Sequence, residues 1–414
     1  MMSYMHIAFA SEVARKKPLL NGRSLCKHTT NMPIVTLKNV KLSDMIRIKR
    51  PVLWAVAILA LSSTTGIAQQ RQDFSVIAYY TGNDQVINRY PVDKLSHIIF
   101  SFGHLRDGRF HISNARDTAT IKHLVGLKKE HPNLKIMLSL GGWGGCEPCS
   151  GVFSTPAGRA RFAQSVKEIN DYFGTDGIDL DWEYPAIEGF PEHPYKPEDR
   201  KNFTELVVEL RTVLGNTNEL SFAAGGFQKF LDHSIDWDKV MPLVDRVNIM
   251  SYDLVNGYAT VTGHHTPIYG VRVGEESTDR AVSYLLDKGV PAEKLVIGAA
   301  FYTRVWQHVA PTDNGRYQTG EHTRGFDFKR YETELTAEKG WKYFYDEQAE
   351  APYWYNAGTR QYATGDNIRS VKAKTRYALR KKLGGIMFWE LTLDKEQGGM
   401  VDAIAREIQN VSDN

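Results

Sequence analysis

The sequence predicts an α/β protein: a closed (β/α)8 TIM barrel with a small α+β insertion between strand 7 and helix 7. Three observations carry this. From Gln69 onward, short apolar runs alternate with longer amphipathic ones, the pattern of strands that each feed a helix. Eight such strand candidates occur in one chain, and eight βα units close into a barrel rather than an open sheet. The polar and aromatic residues able to carry chemistry fall at the C-terminal ends of those strands, where a barrel of this kind places its site.

The strands are read over residues 76–80, 97–102, 135–140, 177–181, 220–224, 246–250, 295–299 and 385–388. Amphipathic helices are read over 156–173, 199–214, 277–288 and 367–383. The first of these opens on Thr155-Pro156, a capping residue followed by a proline at the first helical position. The rhythm breaks once. Between Tyr302 and Asp366 the chain is rich in Tyr, Trp, Gly and Thr, as in Trp341-Lys-Tyr-Phe-Tyr345 and Tyr353-Trp-Tyr355, with no helix first. Residues 303–366 are therefore read as an inserted α+β subdomain, which leaves 69–302 and 367–414 for the barrel. No internal repeat or low-complexity tract is visible.

Ahead of the barrel, residues 45–68 read as a secretory signal peptide. Arg47, Lys49 and Arg50 form a basic start, Val52 to Leu61 an apolar run too short to span a bilayer, and Gly66-Ile67-Ala68 a small-residue cleavage site before Gln69. Met45 is then the expected start. Residues 1–44, which lack a sustained hydrophobic period, are read as upstream extension from a mis-assigned start codon. The expectation is a secreted or periplasmic monomer with no stable membrane insertion after signal cleavage. Composition is ordinary for a globular chain: 414 residues, 42% hydrophobic, 24% charged, net charge +3. No basic block is large enough for nucleic acid, which is excluded as a partner. Cys26 lies in the leader. Cys146 and Cys149, in Gly144-Gly-Cys146-Glu-Pro-Cys149, are read as a structural disulfide loop of an exported chain. Zinc would need further ligands, and none sits nearby at suitable spacing.

The chemistry concentrates in Asp176-Gly-Ile-Asp179-Leu-Asp181-Trp-Glu183-Tyr-Pro185, four acids within eight residues. In a strand, side chains two apart share a face, so Asp179, Asp181 and Glu183 point one way and Ile178, Leu180 and Trp182 the other. Asp176 is out of phase and marks the strand entry, a structural position. Pro185 lacks an N–H and ends the pairing. A buried row of acids is costly in desolvation and repulsion, and crowding of this kind keeps one carboxyl protonated near neutral pH. A calcium loop is excluded by the bulky apolar residues at the alternate positions. His264-His265 would tempt as a metal pair, but adjacent histidines in a strand face opposite sides. A loop role is expected, with no metal site.

The acid row resembles the DxxDxDxE signature of the glycoside hydrolase family 18 chitinases, of the bacterial type with an insertion domain. Further matches occur in order along the chain. Ser139-Leu-Gly-Gly-Trp143 resembles the SxGG motif, and Met250-Ser-Tyr252-Asp253 the MxYD motif. Tyr302-Thr-Arg304 resembles a YxR contact, and Gly384-Gly-Ile-Met-Phe-Trp389-Glu390 the closing strand. The resemblance implies that the row is the fourth barrel strand with Glu183 as acid, then base toward water. Asp181 would orient the substrate acetamido group, whose oxygen attacks the anomeric carbon, and Asp179 would tune Asp181. Tyr252 would donate to that acetamido group. It implies substrate contacts for Tyr79 (with Tyr80 as the other register), Ser139, Trp143, Met250, Asp253, Arg304 and Trp389.

The function so implied is retaining, substrate-assisted hydrolysis of β-1,4 bonds in chitin or N-acetylglucosamine oligosaccharides, without a cofactor. Two rivals stand beside it. One is an endo-β-N-acetylglucosaminidase acting on N-glycan or peptidoglycan. The other is a non-catalytic chitin-binding lectin of the same fold, which the presence of Glu183 disfavours.

Overall fold

The computed structural model describes residues 74–412, so the leader and signal readings lie outside the described residues. Fourteen strands form in chain order among them. They are β1 (Ser75–Tyr80), β2 (His97–Arg106), β3 (Arg109–His111), β4 (Lys135–Gly141), β5 (Gly177–Asp181), β6 (Glu219–Gly225) and β7 (Arg246–Met250), then β8 (Leu295–Ala300), β9 (Thr303–Gln307), β10 (Glu321–Arg324), β11 (Trp341–Asp346), β12 (Ala351–Asn356), β13 (Gln361–Gly365) and β14 (Gly385–Trp389). Parallel pairing runs β1-β14-β8-β7-β6-β5-β4-β2, and β2 pairs back onto β1, which closes an eight-stranded barrel.

The helices around it are α1 (Ala115–Leu127), α2 (Cys149–Phe153), α3 (Pro156–Phe173), α4 (Asp199–Leu214), α5 (Gln228–His233), α6 (Trp237–Val240), α7 (Thr278–Asp287), α8 (Tyr331–Glu334, in the insertion), α9 (Ile368–Arg380) and α10 (Met400–Ser412). Local chemistry sets their ends. Thr155 Oγ1 accepts the Gly158 N–H at the start of α3, and Gly174 ends that helix in a left-handed conformation. Asn367 and Ser370 form a reciprocal capping box at α9.

Strand parity sorts the core. Ile178, Leu180, Leu220, Phe222, Val247 and Ile249 face outward into the layer between barrel and helices, where Phe203, Leu206 and Leu210 of α4 meet them. Each such side chain contributes roughly 1.5–3 kcal/mol of burial. The alternate residues, among them Ile77, Tyr79, Met137, Met250, Tyr252 and Met387, fill the barrel interior. At the N-terminal floor of the barrel sits Glu219. Burial alone would push its carboxyl up, but His97, Arg246 and Lys135 hold it well below the usual range.

One element differs from the sequence reading. The second strand continues past residue 102 and folds back as a hairpin with β3. Phe110 packs against Gly103, where a Cβ would collide with its ring. The insertion is the expected small α+β unit: a five-stranded antiparallel sheet ordered β10-β9-β13-β12-β11, with α8 and short helical turns. Its aromatic runs pair across strands, with Phe344 stacked on Tyr353 at 5.0 Å and Trp354 opposite Tyr343. Trp306, Tyr353, Tyr355 and Tyr362 give it a small core of its own.

The insertion returns to the barrel at a fully buried ion pair. Lys374 Nζ lies 2.7 Å from Asp366 Oδ2, and donates also to Gly298 O and to Thr266 Oγ1. Asp366 further accepts from Ala300 N, Ser370 Oγ and Thr266 Oγ1. One carboxylate thereby ties α9, the end of β8 and the loop after β7. Lys374→Met removes the cation and leaves the buried carboxylate behind. It should cost about 3–5 kcal/mol in urea unfolding, and a loss under about 1 kcal/mol would show that the pair does not hold the junction.

Candidate active site

The mouth of the barrel is built on β5. Its register places Asp179 beside Ser139 of β4 and Ser221 of β6, and Asp181 beside Gly141. Gly141 sits at φ +109, and a Cβ there would run into the carbonyl oxygen of Asp181. Two glycines thus let β4 turn away directly over the acid strand, with the Gly142 N–H donating to that same carbonyl at 2.9 Å.

Asp179 is completely buried. It accepts from Tyr79 Oη (3.0 Å) and Ser139 Oγ (3.0 Å) on one oxygen, and from Ser221 Oγ (2.6 Å) and Asn248 Nδ2 (3.1 Å) on the other. Burial pushes its carboxyl up, and these four donors pull it back only in part. Asp181, one step along the same face, is buried with its Oδ1 lacking a hydrogen-bond partner among the described residues. Burial first, then the charges of Glu183 and Asp179, push its carboxyl well above the usual range. Glu183 stands just beyond the strand end, half-buried at the mouth. Burial raises its carboxyl to about 7; the Tyr184 hydroxyl opposes this and the negative charge of Asp253 adds to it.

The other predicted residues fall into three places. Tyr79, Ser139, Tyr252 and Met250 line the interior with the acid row. Tyr79 rather than Tyr80 points inward, since Tyr80 bonds outward to the Asn83 carbonyl. The buried Tyr252 phenol lies 3.8 Å from Met387 Sδ, and burial keeps it protonated, hence a donor. Asp253, Arg304 and Tyr302 form a cluster at the rim. Arg304 donates twice to Asp253 at 2.7 and 2.6 Å, and Tyr302 Oη once at 2.7 Å. Arg304 thus spends two of its donors on Asp253. Aromatic faces make the third group. Trp389 stacks on Phe102 with ring centroids 5.5 Å apart and stands 5.9 Å from Tyr79. Trp143, 47% exposed, stands over Tyr184, Phe190 and Tyr258. The Cys146–Cys149 disulfide closes the loop after Trp143. Asp176 lies apart from the site and accepts from Lys128 Nζ and the Ile136 N–H at the entry to β5.

Sequence reasoning missed Ser221, Asn248, Tyr184, Phe102 and His265. The first two carried a signal. Each is the lone polar residue between outward apolar neighbours, Leu220 and Phe222 or Val247 and Ile249, so strand parity sends it inward. Tyr184 and Phe102 lie at strand ends, where parity stops helping. Chemically, the assembly offers a proton at Glu183, a partly unsatisfied carboxyl beside it, a phenol donor and two exposed or half-exposed indoles. A sugar ring bearing a leaving oxygen and an amide suits those groups.

The known proteins agree on the family. Residues 75–394 match the family model of glycosyl hydrolases family 18. Chitinase A1 of Niallia circulans is 34% identical over 301 residues, covering 67% of this chain and 43% of that protein. Chitinase B of Serratia marcescens is 28% identical over 415 residues, covering 79% and 80%. The chain thus spans less than half of the first relative and most of the second. Among solved structures, a glycoside hydrolase family 18 N-acetylglucosaminidase from Paenibacillus barengoltzii superposes with a TM-score of 0.73 at 33% identity, covering 81% of this chain and 99% of that one. With the match running from β1 to the end of the last barrel strand, this chain belongs to glycosyl hydrolases family 18.

Proposed function

We propose that the protein hydrolyses β-1,4 bonds between N-acetylglucosamine units of chitin or chitooligosaccharides, by a retaining mechanism in which the substrate's own acetamido oxygen is the nucleophile. The observation that carries this reading is the inequality of the carboxyls around Glu183. Asp179 is saturated by four donors, and Asp253 is held by Arg304 and Tyr302. Asp181 alone keeps a buried oxygen without a partner among the described residues. That oxygen suits the N–H of an acetamido group, and Asp181 and Glu183 project from the same side of one chain segment, so they do not face each other across a sugar as the usual retaining pair does. Such a pair is separated by about 5–5.5 Å across the scissile bond.

In this reading Glu183, protonated near neutrality, gives its proton to the leaving glycosidic oxygen. The acetamido oxygen bonds to the anomeric carbon as the glycosidic bond breaks, and Asp181 with Tyr252 holds the amide so that the attack geometry is met. Glu183, now a carboxylate, takes a proton from the water that opens the cyclic intermediate. Two displacements at one carbon retain the β configuration. Trp389 and Trp143 supply flat faces for sugar rings. Relatives that carry the names chitinase A1 and chitinase B support the polymer as substrate. The match to an N-acetylglucosaminidase over nearly its whole length favours a second reading, release of single sugars from chain ends.

Glu183→Gln should fold, bind oligosaccharide and lose about 10²–10⁴-fold in kcat, because an amide cannot deliver the proton. Wild-type turnover in that variant would remove Glu183 from the acid's role. Defined, partly deacetylated hexamers separate the remaining alternatives. Cleavage should occur after N-acetylated units only, with the β-anomer seen first by NMR. Efficient cleavage after glucosamine, or an α-anomer first, would refute substrate assistance. Dimers and trimers among the products support the chitinase reading, and single sugars alone support the exo reading.

A further inference from the structure

The adjacent histidines of the loop after β7 go to different partners. His264 Nε2 lies 3.1 Å from Asp346 Oδ2 at the end of β11, which ties the loop to the inserted sheet. His265 is fully buried and turns to Asp253. Its Nδ1 lies 3.2 Å from the Asp253 backbone nitrogen and 3.4 Å from Asp253 Oδ1. Its Nε2 has no hydrogen-bond partner among the described residues.

Nδ1 cannot serve both neighbours in the same state. Bare, it accepts the backbone N–H; protonated, it donates to the carboxylate and leaves that N–H facing another donor. The carboxylate already takes three bonds from Arg304 and Tyr302, so the backbone N–H is the group that needs Nδ1. Asp253 stands at φ +53, a conformation that residues other than glycine seldom adopt. The same segment grips both sides of it. Leu254 N donates to His265 O at 3.0 Å, and Thr266 Oγ1, whose single proton is shared between Asp366 and Ser251 O, lies 3.0 Å from Ser251 O.

We propose that neutral His265 is a positioning residue of the active site, which holds Asp253 in its left-handed conformation by accepting its N–H and so keeps the Asp253 carboxylate in the rim cluster with Arg304 and Tyr302, near Glu183. This rests on the proposed function for what Glu183 does. The groups that face His265 are Asp253 from its own loop, Arg304 of β9, Asp366 after β13, the Tyr302 ring at 5.4 Å and, farther off, His322 of β10. Burial, with Arg304, outweighs the two carboxylates and holds the imidazole below its usual range, so it is neutral at pH 7. Acidification places a proton on Nδ1, breaks the bond to the Asp253 N–H and releases the rim.

The test compares wild type, His265→Asn and His265→Leu, each checked for melting temperature. An asparagine carbonyl can occupy the place of Nδ1 and never titrates. His265→Leu should lose about tenfold or more in kcat on chitotetraose with KM changed less, the signature of lost positioning. His265→Asn should restore kcat at pH 7 and carry activity further into acid than wild type. Equal damage in both variants, a wild-type kcat in His265→Leu, or a His265→Asn pH profile that overlays the wild type would overturn the proposal. Should His265→Leu not fold, the asparagine profile alone decides. Nitrogen-15 NMR of the His265 ring in the wild type is independent of turnover. A bare Nδ1 at pH 7 supports the inference even if chitotetraose is not cleaved, a result that would instead sink the functional reading. A protonated Nδ1 overturns the inference by itself.

Discussion

Asp179 is a buried carboxyl with no basic partner among the described residues, held by hydroxyl, phenol and amide donors from β1, β4, β6 and β7. Ionising such a group in the interior costs several kcal/mol. Each hydrogen bond to a charged acceptor returns about 1.5–3 kcal/mol, so four donors come close to offsetting the cost. The donors come from four different strands, and they converge only if the barrel closes in the observed register. The same convergence fixes Asp181 one step toward the mouth and Glu183 beyond the strand end. Asp181 and Glu183 therefore inherit their positions from the buried Asp179.

The acids form a gradient along one strand face. Asp179 is saturated, Asp181 is partly unsatisfied, and Glu183 is half-buried at the mouth. Water access rises along the row while protein donors fall away. Desolvation pushes both outer carboxyls up, aided by the charges of Glu183 and Asp179 at Asp181 and of Asp253 at Glu183, and the pair holds a proton near neutrality. In the rim cluster of Asp253, Arg304 and Tyr302, the Asp253 carboxylate adds a smaller upward push on Glu183, and it is held in place by the β7 loop. That loop is pinned in turn by the buried Lys374–Asp366 pair where the inserted sheet rejoins the barrel. Fold and site meet at this junction.

Much of this was legible in the residues. Periodicity two in β5 already separated Asp179 and Asp181 from Ile178 and Leu180, and the eightfold alternation of strands and helices pointed to a closed barrel. Tyr79 and Tyr80 were indistinguishable by type, because either aromatic packs well on either face; only the ladder with β14 and β2 decides. Ser221 and Asn248 are small polar residues in apolar runs, and their common target lies on another strand, so no local spacing announced it. The β2–β3 hairpin rests on a three-residue strand below the length at which alternation is readable. The α+β insertion was legible from its aromatic runs, whereas the order of its antiparallel ladder is a long-range outcome. His265 lies in a loop, as the sequence predicts, but its partner is a backbone N–H twelve residues earlier, set by tertiary closure.

Burial at the end of β5 raises the Glu183 carboxyl toward neutral pH, and the proposed acid role depends on that shift. Carbon-13 NMR titration of glutamate side-chain carboxyls, with Glu183→Gln to assign the Glu183 signal, measures it directly on the free protein. A Glu183 midpoint near pH 7 is expected, displaced by about two units or more from an exposed glutamate. A midpoint near that of an ordinary exposed glutamate, about 4.3, would contradict it.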